Sequence, residues 1–320
     1  MGLWSRLRRR TYWTTGLYHT DRADLPLAGR LIRTFGANRS LRLPFAQHTQ
    51  ADPFLLVRGG RLYLFLEVVR ADRAGVIDAW SSADLVDWTP HGTGLAAATH
   101  LSYPNVFEIA GETYMVPESK AAGGVTLYRF AAFPRDLRPV RQLLSGAYND
   151  PTPFAHDGHW YLFATSAAGL ELHVSDDILT APFRRHPIGV IERDIRHARC
   201  GGPIVARGGL LFRPAQDDRT RYGGSLDLRE ITTLTPTDYA ERPAHSAVLP
   251  RNRSWNRAGG HHLSIVEFDG AIVFATDGQG WDPYQHKLTV RIGMLLDLLR
   301  GWTSGLIGAR RHSGKAVRLD

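Results

Sequence analysis

The chain is poor in the residues that staple small or metal-dependent folds together. Of its 320 residues only Cys200 is a cysteine, which excludes an intrachain disulfide framework and a thiolate zinc site and points to a fold held by packing in a reducing compartment. Lysine occurs only at Lys120, Lys287 and Lys315, so nearly all the cationic side chains are arginine. They are scattered rather than clustered, and the net charge of +8 is not read as a nucleic-acid footprint. No run approaches the roughly 18 uninterrupted apolar residues of a membrane span; the most apolar stretch, residues 292–299, is cut by Arg300. The first thirteen residues carry charge but no apolar signal core, so export is not expected and a cytoplasmic location is. Arg6, Arg8, Arg9 and Arg10 beside Leu3, Trp4 and Leu7 have the chemistry of a peripheral contact with an acidic membrane surface.

Sustained helical periodicity is also scarce. In its place a unit of about 50 residues recurs. Each copy holds two short β-rich runs around a glycine turn: ADPFLLV and RLYLFLE around Arg58-Gly59-Gly60, SYPNVFEI and ETYMVPE around Ala110-Gly111, and NDPTPFAH and HWYLFAT around Asp157-Gly158. The fourth copy has GGPIVA and LLFRPAQ around Arg207-Gly208-Gly209, and the fifth HHLSIVEF and AIVFATD around Asp269-Gly270. Such turns predict hairpins, because primed turns need positive φ at their centre. Further extended runs follow, such as VIDAWSS and LELHVS, making four strands per copy. Five four-stranded units predict an all-β, five-bladed β-propeller over residues 45–300. Residues 1–44 form an N-terminal segment expected to help close the last blade, and 301–320 a basic tail.

In a blade the start of the innermost strand and the end of the second share one rim of the central channel. The starts place Asp52, Asn105, Asp150, Arg199, Cys200, His261 and His262 there, and the ends place Glu67, Glu118, Thr165, Arg213, Gln216, Asp217 and Asp277. Cleaving a glycosidic bond needs two carboxyl groups, one ionised and one protonated. Asp52 and Glu118 are the best pair, with Asp150 raising a neighbour's pKa by like-charge repulsion. Arg213 is the expected anchor for an anionic sugar or phosphate. No metal or cofactor is expected, although His261, His262 and Asp277 have ligand chemistry for a single channel ion.

The blade motifs ADPF, NDP with DGHWYLF, and SSADLVDW resemble those of glycoside hydrolase family 43. That resemblance implies a general base at Asp52 and a pKa-tuning carboxylate at Asp150. The same family carries its acid in a Glu-Gly-Pro motif opening blade four, where this sequence has Gly201-Gly202-Pro203. YPNVFEI with YMVPES, LYRF followed by FP, NDPTPF, and FRPAQD followed by YGGSL more closely resemble the N-terminal domain of plant glucosamine inositolphosphorylceramide transferases and its stand-alone bacterial relatives. In the plant proteins a separate C-terminal domain is the transferase, so the resemblance implies a glycan-linked context and a site containing Glu118, Arg213, Gln216, Asp217 and Tyr222. Two functional readings stay open: an enzyme acting on a glycosidic bond, and a non-catalytic module binding a carbohydrate or sugar phosphate. The oligomeric state is not legible in the sequence.

Overall fold

The computed structural model describes residues 9–21, 28–36, 49–69, 74–251, 253 and 255–286, with side chains placed only between 12 and 280 of these. The arginine cluster at 6–10, as a set of side chains, the apolar stretch 292–299 and the tail 301–320 lie outside the described residues.

Among the described residues twenty strands form three four-stranded sheets and one eight-stranded sheet, the latter being two groups of four. Blade 1 is β3 (Thr49–Arg58), β4 (Arg61–Val69), β5 (Val76–Ser82) and β6 (Thr89–Leu95). Blade 2 is β7 (Ser102–Ile109), β8 (Glu112–Glu118), β9 (Gly124–Ala132) and β10 (Arg135–Ser145). Blade 3 is β11 (Asn149–His156), β12 (His159–Ser166), β13 (Gly169–Ser175) and β14 (Arg184–Glu192). Blade 4 is β15 (Val205–Arg207), β16 (Leu210–Asp217), β17 (Ser225–Leu234) and β18 (Tyr239–His245). Blade 5 is assembled from both ends of the chain. There β19 (Leu263–Phe268) and β20 (Ala271–His286) are followed outward by β1 (Arg9–Thr20) and β2 (Arg30–Phe35). One parallel pair, Trp13 with Thr49, joins β1 to blade 1. This arrangement is the five-bladed β-propeller, and among the described residues no helix is long and apolar enough to cross a membrane.

The local chemistry explains the hairpins. All five inner turns place both central residues at positive φ, as at Gly59-Gly60 (56° and 69°) and Asp157-Gly158 (45° and 77°), the geometry whose twist matches the flanking strands. Apolar clusters then seal the blade interfaces. One joins blades 1 to 4 through Phe54, Tyr103, Phe163 and Cys200. Another joins blades 4 and 5 through Leu226, Trp255 and Phe274, and a third joins blades 5 and 1 through Leu17, Leu64 and Val273. Because a core lies at every junction around the ring, side chains at the channel mouth are aimed by rigid strands.

Candidate active site

The innermost strands of blades 1 to 3 open with the same device. Asp52, Tyr103 and Asp150 have φ of 50°, 47° and 49°, each directly before a proline. At each the strand register shifts, between Ala51 and Phe54, Ser102 and Asn105, and Asn149 and Thr152. Proline normally pushes its predecessor to extended backbone, so three left-handed residues in that setting are a strained, repeated bulge of the kind that re-aims side chains near functional sites. Tyr103, not Asn105, therefore holds the blade 2 position equivalent to Asp52 and Asp150. Asn105 is buried one step further down, its Nδ2 without a hydrogen-bond partner among the described residues. The Tyr103 hydroxyl meets Thr152 Oγ1 at 2.7 Å and the Gly202 carbonyl at 2.9 Å, bridging blades 2, 3 and 4 beneath the mouth.

On one side of the mouth stand Glu118, Asp150 and Arg199. The Asp150 N–H donates to Glu118 Oε2 at 2.9 Å. Arg199 Nε donates to Asp150 Oδ2 at 2.7 Å, and Gln216 Nε2 donates to the same oxygen at 3.2 Å and to the Cys200 carbonyl at 2.6 Å. Burial, and then the neighbouring Asp150 carboxylate, push the Glu118 pKa up to about 8, so Glu118 carries a proton at neutral pH.

On the other side stand Asp52, His261, His262 and Asp277. Asp52 Oδ2 accepts the Tyr103 N–H at 3.1 Å, and the Asp52 N–H points at Asp277 Oδ2 at 3.4 Å. Asp277 Oδ1 takes the backbone N–H groups of His261 and His262, at 2.8 and 3.1 Å. His261 Nδ1 lies 2.6 Å from Asp277 Oδ2 and 3.8 Å from Asp52 Oδ1. Burial alone would hold His261 neutral, but the Asp277 carboxylate overrides it and the pKa rises to about 9. His262 Nδ1 comes no nearer a carboxylate than 3.7 Å, at Asp52 Oδ1; burial pushes its pKa down to about 3, and neither ring nitrogen has a hydrogen-bond partner among the described residues. Burial also raises Asp52 well above the usual carboxylate range; charged His261 opposes this, and Glu67, Asp277 and Asp150 add to it.

Aromatic rings complete this side. Trp13 stacks on His261 at 4.3 Å, and the Tyr222 hydroxyl meets His261 Nε2 at 2.9 Å. The Arg199 guanidinium lies 5.2 Å over the Tyr222 ring. Although the hydroxyl end of Tyr222 is buried, 48% of the residue is exposed, leaving a ring surface at the mouth. Glu67 sits at the blade 1 edge, where its Oε1 is 3.0 Å from His100 Nε2. Asp52, His261 and Asp277 hold ligand atoms within 4.8 Å of one another. A cation entering there would meet charged His261, whose Nδ1 lies 2.6 Å from Asp277 Oδ2.

Two expected site residues are turned to other partners. Arg213 is fully buried, with Nε and Nη2 on the Glu241 carboxylate at 2.8 and 2.7 Å and Nη1 on the His197 carbonyl at 2.9 Å. It therefore offers nothing to a ligand, because Glu241 on the blade's outer strand pulls it into the sheet. Asp217 is clamped by Arg219; its neighbour Asp218 faces the mouth instead, with Oδ2 4.0 Å from Arg199 Nη1. Trp13, Tyr103, His100 and Asp218 join the site without having been singled out in the sequence. Of these, only Tyr103 carried a signal, the residue-before-proline register shared with Asp52 and Asp150.

Position 201, where the blade-motif resemblance would put an acid, is closed. A Cβ on Gly201 would stand 2.2 Å from Leu226 Cδ1 and 2.4 Å from the His261 carbonyl. The backbone itself occupies this space: the Leu263 N–H donates to the Gly201 carbonyl at 2.8 Å, drawing blade 5 against blade 4.

Solved structures share this architecture. An α-L-arabinofuranosidase of Clostridium thermocellum superposes with a TM-score of 0.51 at 18% identity, over 70% of this chain and 80% of that one. A β-xylosidase superposes with a TM-score of 0.51 at 14% identity, over 73% and 95%. At these identities the likeness is one of fold. Closer in sequence are glucosamine inositolphosphorylceramide transferase 1 of Arabidopsis thaliana and its counterpart in Oryza sativa subsp. indica. Each is 33% identical over 244 residues, or 71% of this chain. The chain spans about a third of the length of these relatives, 32% and 33%. The family model described as glucosamine inositolphosphorylceramide transferase 1, N-terminal, matches residues 16–279, and by that match the chain belongs to the family of these N-terminal domains.

Proposed function

We propose that this domain acts on a glycosidic bond held across the channel mouth, with Glu118 as the acid and Asp52 as the opposing carboxylate. The observation that carries this reading is Glu118 itself: a buried carboxyl beside Asp150, protonated up to about pH 8, in a chain whose inherited acid position is sealed. In the reaction Glu118 gives its proton to the departing glycosidic oxygen. The Asp150 N–H then stabilises the resulting carboxylate at Oε2. Asp52 takes the proton of the incoming water or hydroxyl; burial raises its pKa, and charged His261, 3.8 Å away, offsets part of that rise. Tyr222 and Trp13 supply the aromatic surface against which the C–H face of a sugar packs.

The relatives' name ties them to glucosamine and inositolphosphorylceramide, so glucosaminides join aryl furanosides and pyranosides in the first screen. Glu118→Gln and Asp52→Asn are each expected to lower turnover by about 10²–10⁴-fold while leaving binding in place. If wild type shows saturable calorimetric binding that survives Glu118→Gln, and forms no product from any of these substrates, the domain is a binding module instead. The sealed Gly201 position is the observation that favours that second reading.

A further inference from the structure

The rim is not level. Between the second and third strands, blade 2 has residues 119–123 and blade 4 residues 218–224, but blade 3 has only Ala167 and Ala168. The short turn leaves a cavity of about 250 Å³ between blades 3 and 4, opening onto the mouth. Its floor has almost no side chain: Ala167, Ala168, Gly169 and Ala198. Gly169 is fixed in this role, since at φ 124° a Cβ would meet the Glu192 carbonyl at 2.4 Å. Ile195, 61% exposed, forms an apolar wall.

The inner end of the cavity is polar and shared with the site. Asp218 Oδ1 takes the Gly223 N–H at 2.7 Å. Arg199 Nη1 and Asp218 Oδ2 stand 4.0 Å apart, a loose ion pair at the cavity's inner end. An acceptor and a donor at this separation match two adjacent hydroxyls, since a hydroxyl both donates and accepts. Through Arg199 Nε on Asp150, and the Asp150 N–H on Glu118, the cavity is two residues from the acid. Its volume is below the roughly 300–1,000 Å³ of pockets for drug-sized ligands, which suits a single ring.

We infer that this notch is a second subsite, taking one polyol ring with neighbouring hydroxyls on Asp218 and Arg199 and its C–H face on Ile195. This ring is the part of the ligand beyond the bond from the sugar in the channel: the leaving group in cleavage, the accepting alcohol in synthesis. The inference rests on the reading that the mouth binds a sugar, and its test separates the two.

The probes are methyl glycosides of common pentoses and hexoses, each compared by calorimetry with a disaccharide carrying the same non-reducing ring. For the sugar that binds, wild type is expected to prefer the disaccharide by about ten-fold. Ala168→Trp, at an exposed turn, fills the notch and should reduce that preference to about two-fold or less without changing methyl glycoside affinity; Asp218→Asn should reduce it as well. A disaccharide preference unchanged in both variants overturns the subsite while leaving the mouth reading intact. If wild type binds none of the probes, the mouth reading fails and the subsite with it. A thermal melt of Ala168→Trp guards against misfolding, and Ala167→Trp repeats the block from the adjoining position.

Discussion

Two buried charge clusters lie within one blade of each other and are built on opposite terms. Around Glu241 every charge is answered: Arg213 binds both carboxylate oxygens, Arg229 Nε donates at 3.1 Å and the Tyr239 hydroxyl at 2.6 Å. Burial works against the charged form, but Arg213 outweighs it and holds the Glu241 pKa down to about 2. At the mouth, carboxylates outnumber cations, and Glu118 and Asp52 are pushed up rather than down. A buried charge kept for the fold is neutralised by its neighbours. Buried acids that outnumber their cations and lie close to one another are unfavourable for the fold, which marks the mouth as the place where stability yields to chemistry.

Removing one member from each cluster tests the contrast most severely. Glu241→Gln leaves the Arg213 charge buried without its partner and should cost about 3–5 kcal/mol in urea unfolding at pH 7. Glu118→Gln should cost nothing comparable. Similar losses in both would erase the distinction.

The second test is the dependence of stability on pH. Folded Glu118 keeps its proton to about pH 8, whereas an ordinary glutamate loses it near 4.5. Between these values the unfolded chain binds fewer protons, so this group's contribution to stability falls as pH rises through the window. Glu118→Gln should therefore melt higher than wild type at pH 8–9 and show a flatter pH dependence, while losing the alkaline limb of the rate profile. His261 acts in the same direction between 6.5 and about 9, so part of the slope survives in the variant. An unchanged slope would show that Glu118 is ionised in the folded protein.

The smallest expected effect is at Gly201. Gly201→Ala should destabilise by about 1–3 kcal/mol through overpacking. Gly201→Glu should weaken the fold without raising activity, since its Cβ already meets Leu226 Cδ1 and the His261 carbonyl. A stable, more active Gly201→Glu variant would show that the two blades can part there.

Much of the architecture was legible because it depends on short-range rules repeated at intervals. Glycine or Asp-Gly between β-rich runs specified five hairpins, and their spacing specified blades. The rim was legible only in part. Asn105 reads as the rim residue of blade 2 because it is the polar residue at the strand start, whereas the bulge before Pro104 gives that position to Tyr103. Asp217 and Asp218 are indistinguishable in sequence; Arg219 decides between them by clamping the first. Arg213 reads as a ligand for anions until Glu241, 28 residues later, is found beside it.

What the sequence determined by itself was the chain's β-propeller and which residues stand at strand ends, since positive-φ turns and alternating strands are local requirements that any such chain must meet. Tertiary structure alone decided which of those ends could do chemistry. Proton affinity, access and the closure of position 201 depend on side chains and backbone brought from other blades, and so does Trp13, carried to the mouth by a strand from the opposite end of the chain. Burial and charge act through space and are not encoded at any single position.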